Sequence, residues 1–142
     1  MSIRDFSGAL LLALAGAHSA AAHAEVVVIM SAKSDVSSLS KAQAAQIYLA
    51  KSLALPTGGS ATPIDQDDAA AVRNEFYTKV AAKDSAQMRA YWSQLTFTGK
   101  AQRPKKISGD AAVVKAVAAN PTAIGYVDTS SVDGSVKVVL KP

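Results

Sequence analysis

The stretch PIDQDDAAAVRNEFY, residues 63–77, decides which fold this chain is expected to have. It begins like the end of a strand and continues as a helix, with Arg73 one turn inside. In α/β proteins such a junction commonly holds an anion, because the free N–H groups of the helix start point outward. Asp65, Asp67 and Asp68 add negative charge here, so the segment is also compatible with the start of an ordinary surface helix.

Strand and helix patterns alternate on both sides of this junction. Runs of β-branched residues predict strands, and apolar residues repeating every three or four positions predict helices. The predicted strands are 25–30, 62–66, 123–128 and 135–140, and the predicted helices begin near 40, 67, 84 and 110. The order β-α-β-α-α-α-β-β predicts an α/β fold with a mixed, mostly parallel sheet flanked by helices.

Local signals add three expectations to this pattern. Asp67 or Asp68 is expected to cap the second helix, and Ser108 or Asp110 the fourth. Phe97 has helical spacing with the other apolar residues of the third helix, which predicts packing in the core. The segment TGKAQRPKK, residues 98–106, is predicted to be a loop. Its basic and hydroxyl side chains indicate either an exposed basic loop or a docking surface for an acidic partner.

The N-terminal segment has the composition of a cleavable export signal. Arg4 provides a positive start, residues 8–17 are apolar, and Ala22-His23-Ala24 has the A-x-A pattern of a cleavage site. We therefore expect residues 1–24 to be a signal peptide removed after Ala24, and residues 25–142 to form one periplasmic or secreted domain. The apolar run is too short to span a bilayer.

The composition argues against an enzyme. The chain has no cysteine, and its two histidines, His18 and His23, lie in the segment expected to be removed. Ser-His-Asp catalysis, thiol chemistry and the usual zinc sites therefore lack their central residues. We expect no catalytic residues, no metal site and no cofactor. The net charge of +4 is too diffuse to indicate nucleic-acid binding.

Four segments together carry a resemblance to a known family. They are SSLSKAQAAQIYLAKS (37–52), PIDQ…VRNEFY (63–77), YWSQLTFTGKAQRPKK (91–106) and AIGYVD (123–128). In this order they resemble the phosphate-type substrate-binding proteins of ABC transporters, and most closely the short members with a single lobe. The resemblance implies one lobe of a type II periplasmic binding protein. It also implies phosphate or another small oxyanion as ligand and a membrane transporter or sensor as partner.

The chain departs from the family at the junction itself. The relatives carry a Ser-Gly-Thr type turn before the arginine that matches Arg73, and that turn donates hydrogen bonds to phosphate. Residues 68–72 read DAAAV instead, so the hydroxyl groups are absent and Asp68 adds negative charge. Like charge at close range opposes phosphate binding.

Two groups of residues are candidates for an oxyanion site. Arg73, together with the helix start at Asp68 and Ala69, forms the first group, with pairing of Arg73 to a neighbouring carboxylate as the alternative. Ser31, Lys33 and Ser34 follow the first strand and line a crevice at its carboxyl end or form a solvated loop.

These candidates lead to two functional hypotheses. The first is an exported module that binds an oxyanion, with two lobes pairing as a homodimer to complete the site. The second is an interaction or structural module of the cell envelope, derived from a solute-binding lobe that no longer binds ligand. The missing second lobe and the altered turn favour the second hypothesis.

Overall fold

A computed structural model describes residues 25–142 as one α/β domain. The signal peptide expected at residues 1–24 and its cleavage after Ala24 lie outside the described residues. Within residues 25–142, no helix is long and apolar enough to cross a membrane. The strands are β1 (Val26–Ser31), β2 (Thr62–Asp65), β3 (Lys105–Lys106), β4 (Ala123–Asp128) and β5 (Val136–Leu140). The helices are α1 (Lys41–Tyr48), α2 (Ala71–Ala81), α3 (Ser85–Phe97) and α4 (Asp110–Ala118), and a short 3-10 helix covers Thr129–Ser131.

The five strands form one mixed sheet in the order β3-β2-β4-β1-β5. Strand β2 is parallel to both β3 and β4, whereas β1 is antiparallel to its neighbours β4 and β5. Four strands therefore run in one direction, and β1 alone runs in the other. The predicted fold class, a mixed and mostly parallel sheet flanked by helices, is confirmed.

Strand β1 divides the core because its successive side chains point to opposite faces of the sheet. On one face, Val26, Val28 and Met30 belong to a cluster that includes buried residues of α1, α2 and α3. On the other face, Val27 and Ile29 belong to a cluster that includes the buried valines of α4. Both faces of β1 are covered, which explains why its sequence is continuously apolar rather than alternating.

Three local predictions are wrong. The segment predicted to be a loop contains β3, a two-residue strand that pairs with β2. The N-caps of α2 and α4 are Ala70 and Gly109, and neither makes a side-chain capping hydrogen bond. The carboxylates of Asp67 and Asp68 bind across the loop instead, and Gly109 has a φ of 90°, which favours glycine.

The aromatic residue at the end of α3 also differs from its predicted position. Phe97 is 93% exposed, because it follows the core-packing Leu95 by two residues and so lies on the other side of α3. Trp92, one turn earlier on the same helix, is buried as its spacing predicts.

Candidate functional site

The buried carboxylate of Asp65 is the centre of the candidate site. Asp65 is the last residue of β2 and is 2% exposed. Its Oδ1 accepts hydrogen bonds from the backbone N–H of Gln66 at 2.9 Å, from Arg73 Nε at 3.2 Å and from the Tyr126 hydroxyl. Its Oδ2 accepts a hydrogen bond from the Tyr77 hydroxyl at 2.8 Å. A buried carboxylate is stable only with such a set of donors.

The surrounding groups are held in defined protonation states. Burial opposes the charge on Arg73, but the electrostatic interactions with Asp65, Tyr77, Tyr126 and Asp68 together outweigh it, and the pKa of the guanidinium is raised. Burial, reinforced by the negative charge of Asp65, raises the pKa values of Tyr77 and Tyr126 far above their usual range. Both hydroxyls therefore stay neutral and act as hydrogen-bond donors to the carboxylate.

Arg73 uses only part of its hydrogen-bonding capacity in this cluster. The residue is 2% exposed, and its guanidinium lies 4.8 Å from the centre of the Tyr77 ring. Its Nε binds Asp65, while its Nη2 lies 3.7 Å from Asp68 Oδ1, beyond hydrogen-bond distance. Within residues 25–142, neither terminal nitrogen of this buried side chain has a hydrogen-bond acceptor. The terminal nitrogens of a guanidinium form a fork that suits an oxyanion.

Two further contacts join the β2–α2 loop to β3 and to the segment that follows β3. Lys106 Nζ lies 2.6 Å from Asp68 Oδ1, and the Ser108 hydroxyl donates to Asp67 Oδ1 at 3.0 Å. The hydrogen bond from Lys106 lowers the pKa of Asp68, and the charge of Arg73 lowers it further, whereas burial opposes both. The carboxylate of Asp68 therefore lies between two cationic side chains, Arg73 and Lys106, in the position that a bound anion would take.

The four helices differ in how their N-termini are satisfied. In α1 and α3, Ser40 with Gln43 and Asp84 with Gln87 form complete capping boxes. Neither α2 nor α4 has a side-chain cap. Both uncapped helices start at the end of the sheet where β2 and β4 finish, so N–H groups not bonded within the helix face the same region.

Asp110 connects the start of α4 to the same region. Its Oδ1 accepts a hydrogen bond from Gln66 Nε2 at 2.9 Å, and its Oδ2 accepts one from the backbone N–H of Asp128 at 3.0 Å. The Gln66 side chain also donates to the carbonyl of Tyr126 at 2.9 Å. The ends of β2 and β4 and the start of α4 are thus fixed relative to one another by side chains.

The structure separates the two groups of predicted site residues. Arg73, Asp68 and Ala69 lie at the carboxyl ends of β2 and β4. Because β1 runs antiparallel to β4, its carboxyl end, with Ser31, Lys33 and Ser34, lies at the opposite end of the sheet.

Both serines of the second group make internal hydrogen bonds. The Ser31 hydroxyl donates to the carbonyl of Ala118 at 3.2 Å, and the Ser34 hydroxyl accepts from the N–H of Val36 at 3.1 Å. Lys33 is exposed. These contacts fix the loop after β1, and the strand direction keeps it away from Arg73.

Sequence reasoning missed Asp65 as the partner of Arg73, and it did not identify Tyr77, Tyr126 or Lys106. One signal was available: Arg73 and Tyr77 are four residues apart, so they lie on the same face of a helix. The partners on β4 depend on strand order, which the local sequence does not encode. Among residues 25–142, no group of three or more His, Cys, Asp or Glu residues is suitably placed for a metal ion.

Comparison with solved structures places this geometry in a known class of fold. A substrate-binding protein of a phosphate ABC transporter from Clostridium perfringens, solved with bound phosphate, has a TM-score of 0.65 and 22% identity over 81% of this chain and 44% of its own. PstS from Borrelia burgdorferi has a TM-score of 0.62 and 12% identity, covering 81% of this chain and 46% of its own. No family model and no curated protein sequence matches the chain.

An ABC-type phosphate transport receptor from Vibrio cholerae is also similar, with a TM-score of 0.54 and 15% identity over 81% of this chain and 45% of its own. The chain therefore has the fold of a substrate-binding-protein lobe. More particularly, the three structures named here are phosphate-type proteins, so the resemblance read from the sequence is confirmed at the level of the fold. The chain spans less than half the length of each.

Proposed function

We propose that this protein is an exported, non-enzymatic binding module that holds phosphate or a related small oxyanion at the junction of β2 and α2. The observation that carries the proposal is the buried guanidinium of Arg73, whose terminal nitrogens have no hydrogen-bond acceptor within residues 25–142. These nitrogens are available to an oxyanion in a fixed position, because Asp65 and the ring of Tyr77 hold the rest of the side chain. The uncapped start of α2 supplies N–H groups beside it.

The surroundings of Arg73 support the same ligand class. Lys106 and Ser108 lie across the loop and present a second positive charge and a hydroxyl group. By analogy with the similar structures, we propose that the protein delivers its ligand to an ABC transporter or signals to a membrane sensor. Because the chain spans less than half of those structures, we propose that a homodimer supplies the second wall of the site.

Thermal unfolding of the purified protein in phosphate tests the proposal, with sulfate at matched ionic strength as the control for general salt effects. A ligand at 100 times its dissociation constant stabilises a protein by about 2.7 kcal/mol, which is a shift of several degrees for a domain of this size. We expect a saturable rise in Tm with phosphate. The absence of any rise up to millimolar phosphate contradicts the proposal.

Three substitutions at the junction of β2 and α2 identify the site. Asp68→Asn removes the carboxylate that competes for Arg73 and Lys106, so we expect tighter phosphate binding. Asp67→Asn is the matched control, because Asp67 accepts only from Ser108 and contacts no cation. Arg73→Lys keeps a positive charge beside Asp65 but loses the fork, so we expect phosphate stabilisation to fall. If all three variants bind phosphate with the same affinity as the unchanged protein, phosphate does not bind at this junction.

A second function is favoured by the same carboxylate. Asp68 already lies against Arg73 and Lys106, as a bound anion would. On that basis the lobe serves as an interaction module of the envelope, and its own aspartate replaces the ligand. Phosphate binding that appears only in the Asp68→Asn variant supports this second function over the first.

A further inference from the structure

A surface groove lies at the end of the sheet opposite to Arg73. It has a volume of about 420 Å³ and lies beside the amino ends of β2 and β3 and the carboxyl end of α1. Its apolar floor includes Ile47, Ala50, Leu53 and Ala61. The volume lies within the range of ligand-binding clefts, about 300–1,000 Å³. The groove shares no lining residue with the proposed oxyanion site.

The rim of this groove carries charge of one sign only. Lys100, Arg103 and Lys105 line it, and no acidic residue does. All three side chains are exposed. They form no ion pair within residues 25–142, whereas the adjacent Lys106 is paired with Asp68. An unpaired basic rim around an apolar floor is complementary to a ligand that is both acidic and apolar.

One exposed apolar side chain lies in this groove. Leu53, which lines the groove, is 40% exposed. Phe97 does not line the groove, but it is 93% exposed and lies three residues before the rim residue Lys100 in the sequence. These are the two large hydrophobic residues classed as exposed in the part of the chain that the structure describes. The occupant of the groove must carry acidic groups, because only these pair with the basic rim.

We propose that this groove binds an acidic peptide segment of a partner protein. A large aliphatic side chain of the segment occupies the floor, and its flanking carboxylates pair with Lys100, Arg103 and Lys105. Apolar contact provides the anchor, and the basic rim selects the partner and speeds the encounter. The groove and Arg73 lie at opposite ends of the sheet, so the two proposed interactions use different residues.

Fluorescence anisotropy with a labelled peptide of alternating glutamate and leucine tests this proposal. We expect saturable binding that weakens as salt is added. A peptide of alternating lysine and leucine lacks the acidic groups that match the basic rim. A peptide of alternating glutamate and serine lacks the apolar anchor. We expect neither control peptide to bind. Failure of the glutamate–leucine peptide to bind overturns the proposal, as does equal binding of any control peptide.

Surface variants locate the binding. Reversing one rim charge in the Lys100→Glu variant should weaken peptide binding about fivefold or more. Leu53→Ser should also weaken it, whereas Lys115→Glu, an exposed lysine on α4, should not. Phosphate stabilisation should be unchanged in these variants, which keeps this test independent of the proposed function. Unchanged peptide affinity in the charge-reversed variant, or association with anionic lipid vesicles but not with the peptide, overturns the proposal.

Discussion

At the residue scale, one guanidinium faces two carboxylates in very different surroundings. Asp65 has a side chain that is 2% exposed, whereas the side chain of Asp68 is 43% exposed. Water screens the contact to Asp68 but not the contact to Asp65. The two aspartates therefore contribute differently to stability, although both lie close to Arg73.

Replacing each aspartate by alanine measures this difference. Asp65→Ala leaves Arg73 charged and buried and removes the acceptor of two tyrosine hydroxyls, so we expect the free energy of unfolding to fall by about 3–5 kcal/mol. Asp68→Ala should lower it by less than about 1 kcal/mol. Chemical denaturation followed by the fluorescence of Trp92, the single tryptophan, provides both values. Equal losses would show that Arg73 is not buried as described.

At the element scale, Gly125 sets how closely α4 approaches the sheet. A Cβ atom built on Gly125 would lie 2.8 Å from Val113 Cγ1 and 2.9 Å from Val117 Cγ2. Contacts this short force the helix or its side chains to move. Because Gly125 has no side chain, α4 can pack closely against this face of the sheet.

Gly125→Ala should lower the free energy of unfolding by about 1–3 kcal/mol, because the added methyl group overlaps the two valines. The Gly125→Ala/Val113→Ala variant shortens one of these valines and relieves the overlap. Its loss in the free energy of unfolding should therefore be smaller than the sum of the losses in the two single variants. Gly134→Ala is the control, since a Cβ there meets nothing within 4 Å. Additive losses in the double variant would contradict the close contact.

Elements that carry a long local pattern were predictable, and those decided by tertiary contacts were not. The four longer strands and the four helices have clear periodicity, so the fold class followed from the sequence. Strand β3 is two residues long and is defined only by its pairing with β2. The direction of β1 is likewise set by its neighbours, which is why the sequence offers Ser31 and Lys33 as oxyanion-site candidates alongside Arg73, whereas the structure places them at the other end of the sheet.

At the scale of the whole molecule, three buried tyrosines link stability to alkaline pH. Burial raises the pKa values of Tyr48, Tyr77 and Tyr126 far above the ordinary value of about 10, and Asp65 adds to the shift in each case. The unfolded chain therefore loses these protons at a lower pH than the folded chain does. Their contribution is fully present below about pH 10 and is lost as the pH rises toward the folded pKa values.

Above about pH 10, we expect the free energy of unfolding to fall by about 1.4 kcal/mol per pH unit for each of the three tyrosines. Denaturation at a series of alkaline pH values measures the slope, and Tyr126→Phe should reduce it by the share of one tyrosine. A rise in tyrosinate absorbance near pH 10 from these side chains in the folded protein would contradict their burial.

The reversed direction of β1 has a consequence for how this domain joins other polypeptides. Val28 near the start of β1 pairs with Leu140 at the end of β5, so the described chain enters and leaves the sheet on adjacent strands. Entry and exit lie at the end that carries Arg73, beside Asp128. A unit with neighbouring ends can be inserted as a guest into a surface loop of a host protein without separating its strands. The guanidinium would then face the host, and the basic groove would point away from it.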